Sequence, residues 1–439
     1  MITMYQNREM NPNAQSLSEV HASITVPKTR SFWRKMAAFT GPGLMVAVGY
    51  MDPGNWATDI AGGARFGYTL LSVILISNLF AMILQHLSLK LGIATGMDLA
   101  QACRAYFSRP VAFGLWILAE IAIAACDLAE VLGSAIALNL LFGIPLAVGV
   151  VITTVDVLLI LYFQSKGFRI IESIVGGLIA VILMCFLYEV IVSQPAWGAV
   201  AQGLIPQTQI VLDGSMLYVA VGILGATVMP HNLYLHSSIV QTRNYERNDA
   251  GKREAIWFAT IDSTASLAIA FFINASILIL AAATFHYSGN RQVADITDAH
   301  QLLGPLLGDR WASVLFAVAL LAAGQNATIT GTLAGQIVME GFLNLQMKPW
   351  LRQLITRLIA IVPALFVSIN YGEHGSSELL VLSQVVLSVQ LSFAVVPLIL
   401  FTSKKDWMGR FVNARWLTVL SWGIALIIIA LNLFMLSQV

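Results

Sequence analysis

The sequence predicts an all-α integral membrane protein with 11 transmembrane helices, arranged as five plus five plus one. Three observations predict it. Of 439 residues, 58% are hydrophobic and only 11% charged, whereas a soluble domain carries roughly 25% charged residues. That is too little charge to cover a water-facing surface. The apolar residues fall into separate runs, each close to the ~20 residues that cross a bilayer as a helix. The runs are continuous rather than alternating, which excludes barrel strands.

The elements follow in order. Residues 1–36 form a polar tail, and no short apolar stretch with a small-residue cleavage site follows a basic start, so no cleaved signal is expected. Residues 37–439 form the membrane domain. Its spans are 38–62, 69–93, 111–141, 145–163 and 170–193 in a first repeat of about 38–193. Spans at 216–240, 254–285, 312–344, 351–370 and 379–402 make a second repeat of about 216–402, and 415–437 is an extra helix. Basic residues sort between alternate connections: 21 of the 24 Lys and Arg lie on one side, and Arg65, Arg291 and Arg310 on the other. Positive charge stays inside. The N-terminus is therefore expected in the cytoplasm and the C-terminus outside, in a multi-pass protein of the cell membrane (the inner membrane, in a two-membrane bacterium). With 23 acidic residues the total is nearly balanced, so no nucleic-acid partner is expected. Cys103, Cys126 and Cys185 match no metal or disulfide spacing.

Two spans are interrupted. Span 1 reads Gly49-Tyr50-Met51-Asp52-Pro53-Gly54-Asn55, and span 6 reads Gly225-Ala226-Thr227-Val228-Met229-Pro230-His231-Asn232. Proline lacks an amide donor and clashes one turn back, so each helix should unwind at mid-membrane. A lone proline in a membrane helix is usually an ordinary kink. Here both breaks carry polar neighbours, and they fall in corresponding places of two halves. That pairing points to an inverted-repeat transporter with its site at the midplane.

Asp52 at bilayer depth is costly unless paired, protonated or bound to a cation; it could also cap the half-helix after Pro53. Asn55 offers a neutral oxygen and Met229 a thioether, although methionine also serves as packing. Carbonyls of Gly49 and Ala226 would be freed by the breaks. Hard Mg²⁺ and Ca²⁺ prefer all-oxygen shells, whereas sulfur favours first-row transition metals. The donor set therefore suggests Mn²⁺ or Fe²⁺ as cargo, with no cofactor.

In span 3, Glu120, Asp127 and Glu130 fall on one helix face, since seven residues turn 700°. Such a stripe fits a proton route, or a packed polar face with its acids paired to Arg352 or Arg357. Asp52 would give up or receive a proton, with His231 modulating it and Glu130 and Asp127 leading inward. His231 fits either a titrating role or an uncharged hydrogen bond. His236, five residues on, reads as structural. The run around Gln325 and Thr328 in span 8 reads as close helix packing.

The segments Asp52-Pro53-Gly54-Asn55, Met229-Pro230-His231 and Gly324-Gln325-Asn326-Ala327-Thr328-Ile329-Thr330-Gly331-Thr332, followed by Ala334-Gly335-Gln336, resemble the signatures of the Nramp family of proton-coupled divalent metal transporters. The likeness runs from about Gly41 to the C-terminus. It implies a LeuT-type fold, with spans 1–5 and 6–10 as inverted repeats, and uptake of Mn²⁺ or Fe²⁺ driven by protons. It implies metal-binding roles for Asp52, Asn55 and Met229, carbonyl ligands from Gly49 and Ala226, and a ligand in some states from Gln384. Asp127 and Glu130 match its third-span acids. The chain departs from the family in span 9, where Arg352 is followed by Gln353 rather than a second arginine.

Other classes fit less well. An inverted-repeat carrier of another cation or a small organic solute gains nothing from sulfur beside Asp52. An enzyme is not expected, because a membrane metalloenzyme needs clustered His or Cys ligands, and no His-Glu-x-x-His occurs.

Overall fold

The computed structural model describes residues 16–164, 166–291, 293, 296–344, 349–370 and 372–437. Within these, the side chains at 154–161, 164, 349–350, 352–354, 356–357, 372–374 and 377 are outside the described set.

Span 1 is two helices, Pro42–Val48 and Pro53–Phe66, joined by a 3-10 turn at Gly49–Met51 and by Asp52. Span 6 is likewise Gly214–Thr227 and Pro230–Ile239, interrupted at Val228 and Met229. The prolines act as expected, each at the first position of the second half, where its missing N–H has no helical partner to lose. The other spans are Leu71–Thr95, Arg109–Phe142, Leu146–Gln164, Phe168–Ser193, Asp249–Ala281, Arg310–Leu343, Pro349–Asn370, Gly372–Thr402 and Arg415–Leu436. By length and hydropathy, eight helical stretches among the described residues could each cross a membrane; Pro42–Met51 and Leu358–Asn370 are shorter apolar helices.

The half-helices of spans 1 and 6 lie inside a shell of spans 2, 3, 7, 8 and 10. Burial follows that arrangement: 94% of the apolar window of span 6 is buried, against 33% for the last helix. Trp56 anchors the second half of span 1, its ring 4.8 Å from Phe186 in span 5 and 5.2 Å from Phe316 in span 8.

The basic end of the bundle is tied by charge. Arg243, fully buried, donates to Glu172 Oε1 (2.6 Å) and to the carbonyls of Ala38 (3.1 Å) and Thr40 (2.8 Å). Asp262 accepts the Gly43 amide at 2.7 Å. These bonds fasten the entry of span 1 to spans 5, 6 and 7. Removing one member of such a buried pair typically costs about 3–5 kcal/mol.

The polar tail is partly docked. Ile24–Thr25 pairs in parallel with Arg243–Asn244, Ala22 N–H donates to Gln241 O (3.0 Å), and buried Leu17 donates its N–H to Glu340 Oε2 (2.9 Å). A few apolar residues, Leu17, Val20 and Ile24, give the tail a packed underside.

Candidate metal site and proton route

Asp52 terminates the span 1 break as the N-cap of Pro53–Phe66, and its Oδ1 accepts the Asn55 amide at 2.9 Å. The capping reading therefore holds for one oxygen. Asp52 Oδ2 and Asn55 Oδ1 are buried with no hydrogen-bond partner. The cap thus uses one Asp52 oxygen and the Asn55 backbone, and leaves the other Asp52 oxygen and the Asn55 amide oxygen over.

The span 1 turn is held by its neighbours. Asn274 Nδ2 of span 7 donates to Tyr50 O at 2.6 Å, and Trp56 Nε1 donates to Met51 O at 3.3 Å. The carbonyl of Gly49 lies within the 3-10 turn, and a Cβ on Gly49 would collide with the Asn232 amide of the other break. The two interruptions therefore meet directly.

Gln384 fills the space between them. A Cβ on Gly54 would strike its side-chain amide, and one on Gly225 would strike its backbone carbonyl. Its Nε2 donates to Ser383 Oγ at 3.1 Å, while Oε1 has no partner. Ala226, fully buried, occupies the last turn before the span 6 break, where carbonyls run out of intrahelical donors.

Met229 is the N-cap residue of Pro230–Ile239 but forms no side-chain cap. Its side chain is fully buried and packs with Ala122 and Leu387, flanked by Ala125. Met229 is thus packed among apolar groups at the second break. Among the described residues no three or more His, Cys, Asp or Glu side chains cluster to hold a metal ion. The donors at the breaks are one carboxylate, two amides, a thioether and backbone oxygens.

The span 3 acids do not all gather at one point. Glu130 Oε1 and Asp127 Oδ1 both lie beside span 8 at Gly331, where a side chain would displace the Glu130 oxygen. Glu120 lies two turns toward the start of the helix, half-buried, and accepts Trp116 Nε1 at 3.0 Å. Arg352 lies on Pro349–Asn370, which packs against the acid-bearing helix, but its side chain is outside the described residues.

A residue the sequence reading passed over joins these parts. Cys126 Sγ donates to Glu130 Oε1 (3.5 Å) and lies 3.8 Å from His231 Nε2. It therefore bridges the span 6 break to the acid pair. The i, i+4 spacing of Cys126 and Glu130 was a usable signal, but the thiol was weighed only as a metal or disulfide residue. Asn274 carried no local signal. His236 is structural as expected: its Nδ1 bonds Gln85 Oε1 (2.9 Å), and Gln85 Nε2 donates to the Tyr50 hydroxyl (2.9 Å). Thr328 donates to Gly324 O (3.0 Å), consistent with a packing role for that run.

The fold defines a multi-pass helical membrane protein of the LeuT-like type, with two interrupted helices that meet inside the bundle. Its fold is shared by the nucleobase-cation symporter Mhp1, at 16% identity and a TM-score of 0.63. The chain belongs to the Nramp family: the family model described as natural resistance-associated macrophage protein-like matches residues 43–438. Proteins named divalent metal cation transporter MntH are similar throughout. One from Listeria welshimeri is 62% identical over 97% of this chain and 95% of its own, and one from Nostoc is 60% identical over 97% and 96%. The crystal structure of an Eremococcus coleocola manganese transporter superposes with a TM-score of 0.89 at 45% identity, covering 97% of this chain and 91% of that one. Nramp proteins are transporters rather than enzymes, and metal is their cargo, not their cofactor.

Proposed function

We propose that this chain imports divalent transition-metal cations, Mn²⁺ or Fe²⁺, across the cell membrane, driven by protons. The observation that carries the reading is the meeting of the two helix breaks around Gln384, with Asp52 Oδ2, Asn55 Oδ1 and Gln384 Oε1 all buried and lacking donors. Buried oxygens without donors are costly, and coordination to a cation would offset that cost. Met229 and the carbonyls of Gly49 and Ala226 complete the proposed ligand set. The sulfur favours Mn²⁺ and Fe²⁺ over Ca²⁺ and Mg²⁺. The relatives named as divalent metal cation and manganese transporters support the same cargo.

Protons leave the centre by a separate route in this reading, from Asp52 past His231 and the Cys126 bridge to Glu130 and Asp127. Glu120 and Arg352 lie further along it. Spans 1–5 and 6–10 act as the inverted repeats, and the basic face of the bundle is cytoplasmic.

The test is purified protein in liposomes, measuring Mn²⁺, Fe²⁺, Mg²⁺ and Ca²⁺ uptake with and without an inward proton gradient. Mn²⁺ and Fe²⁺ uptake should be gradient-stimulated and should bring protons in. Equal uptake of all four ions would overturn the selectivity argument, and unchanged proton entry in Asp52→Asn would remove Asp52 from the proton route.

A further inference from the structure

The second half of span 1 carries another acid that the function above does not use. Asp59 is 1% exposed and lies seven residues beyond Asp52, two helical turns or about 10 Å along the axis. Asn55 stands one turn before it, about 40° away around the helix. Asp52 Oδ2, Asn55 Oδ1 and Asp59 Oδ2 are all buried without a hydrogen-bond partner. They form a ladder of unsatisfied oxygens along one flank of Pro53–Phe66.

A structural role does not account for Asp59. It sits in the middle of the helix, where it caps nothing. The neighbouring hydroxyl of Thr58 is turned to the carbonyls of Gly54 (3.3 Å) and Asn55 (2.9 Å). One turn on, the helix meets apolar groups: Gly62 lies beside Leu70, Ile223 and Val219, and Gly63 lies against the backbone of Leu278 and the Ala281 methyl. None of the ion pairs among the described residues involves Asp59. The other acid of this half-helix is Asp52, at its N-cap. Two acids thus share one half-helix whose basic residue, Arg65, lies exposed in the last turn and, among the described residues, forms no ion pair with either. A divalent cation matches that pair in charge.

We infer that Asp59 is an outer waystation, where the incoming divalent cation is held by Asp59 and the Asn55 amide oxygen before it reaches Asp52. This rests on the proposed cargo and orientation. In this geometry Asn55 serves both stations, and the cation advances by about one turn at a time along a single helix. No bond other than coordination forms or breaks. The second carboxylate contributes to capture from dilute solution, while release inward is governed by Asp52 and Met229.

The experiment is initial-rate Mn²⁺ uptake into liposomes by wild type, Asp59→Asn and Asp59→Glu, with Mn²⁺ binding to each detergent-purified protein. Asp59→Asn should raise KM about tenfold, equivalent to about 1.4 kcal/mol, with kcat within about twofold, the pattern of lost binding before the limiting step. Asp59→Glu should keep most of the affinity and serves as the folding control. An unchanged KM in Asp59→Asn overturns the inference. So does a fall in kcat at constant KM, which marks packing, or a displaced pH profile with unaltered Mn²⁺ affinity, which marks a proton carrier. Failure of wild type to transport Mn²⁺ would sink the proposed function itself. Wild-type transport with a normal Asp59→Asn would sink only the waystation.

Discussion

The two helix breaks look alike in sequence but are built differently. The span 1 break is satisfied from within and from its surroundings. Asp52 caps the following helix, Asn274 takes the Tyr50 carbonyl, and Trp56 takes that of Met51. The span 6 break has no side-chain cap, and His231 Nδ1 and both polar atoms of the Asn232 amide are buried without partners. One break is a braced turn that leaves a single carboxylate oxygen over. The other is open and depends on what it meets. Asp52 thus sits on the braced element, and Met229 and His231 on the one with unpartnered polar groups. In the proposed function, firm placement of the charge would preserve the geometry of the strongest contact.

The sharpest way to break this comparison is Asp52→Asn. Asparagine is as good an N-cap as aspartate, so the braced turn survives while the charge is lost. Mn²⁺ uptake in liposomes should fall by about a hundredfold or more, given that each 1.4 kcal/mol of lost binding is tenfold, with an unchanged thermal unfolding profile. A loss of folded protein instead would show that the charge itself braces the turn.

Met229→Ala addresses the loose side. It should cost less Mn²⁺ transport than Asp52→Asn, and discrimination against Ca²⁺ should fall further than Mn²⁺ uptake does. Equal losses for both ions would count against selection by sulfur.

Asn274→Ala and Asn232→Ala then compare the braces directly by thermal unfolding. The first leaves the buried Tyr50 carbonyl unsatisfied and should cost about 1–3 kcal/mol. Asn232 makes no side-chain hydrogen bond, so its replacement should cost less. A larger loss at Asn232 would reverse the assignment of braced and open.

The smallest effect concerns the docked tail, which pairs with the chain just beyond the span 6 half-helix. Burial, and then the nearby Arg247 charge, hold His21 below its usual value of 6.5. A lowered histidine favours the docked state fully above pH 6.5 and withdraws that support as pH falls below it. Proteolysis of the tail at pH 7.5 and 5.5 should therefore show a smaller acid-induced loosening in His21→Gln than in wild type; identical behaviour would exclude His21.

The legible parts of the site were those fixed by local chemistry. Proline at positions 53 and 230 determines a break wherever the helix packs. The carboxylates of span 3 fall on one face by periodicity alone. Gln384 had no such signal and entered through family resemblance, because its place between Gly54 and Gly225 depends on how span 10 crosses spans 1 and 6. Cys126 was in plain view at i, i+4 from Glu130, but its contact with His231 depends on helix packing. Glu120 shares the stripe yet stands apart, since a helix face says nothing about which neighbour covers each turn.

The sequence by itself determined that this is a helical membrane protein with two interrupted spans, because scarcity of charge and the stereochemistry of proline act residue by residue. Only the tertiary structure decided which oxygens are left over. A carbonyl taken by Asn274 and an Asp59 oxygen left without a partner both depend on residues distant in the chain. In a low-dielectric interior that remainder of unsatisfied groups is what makes a site.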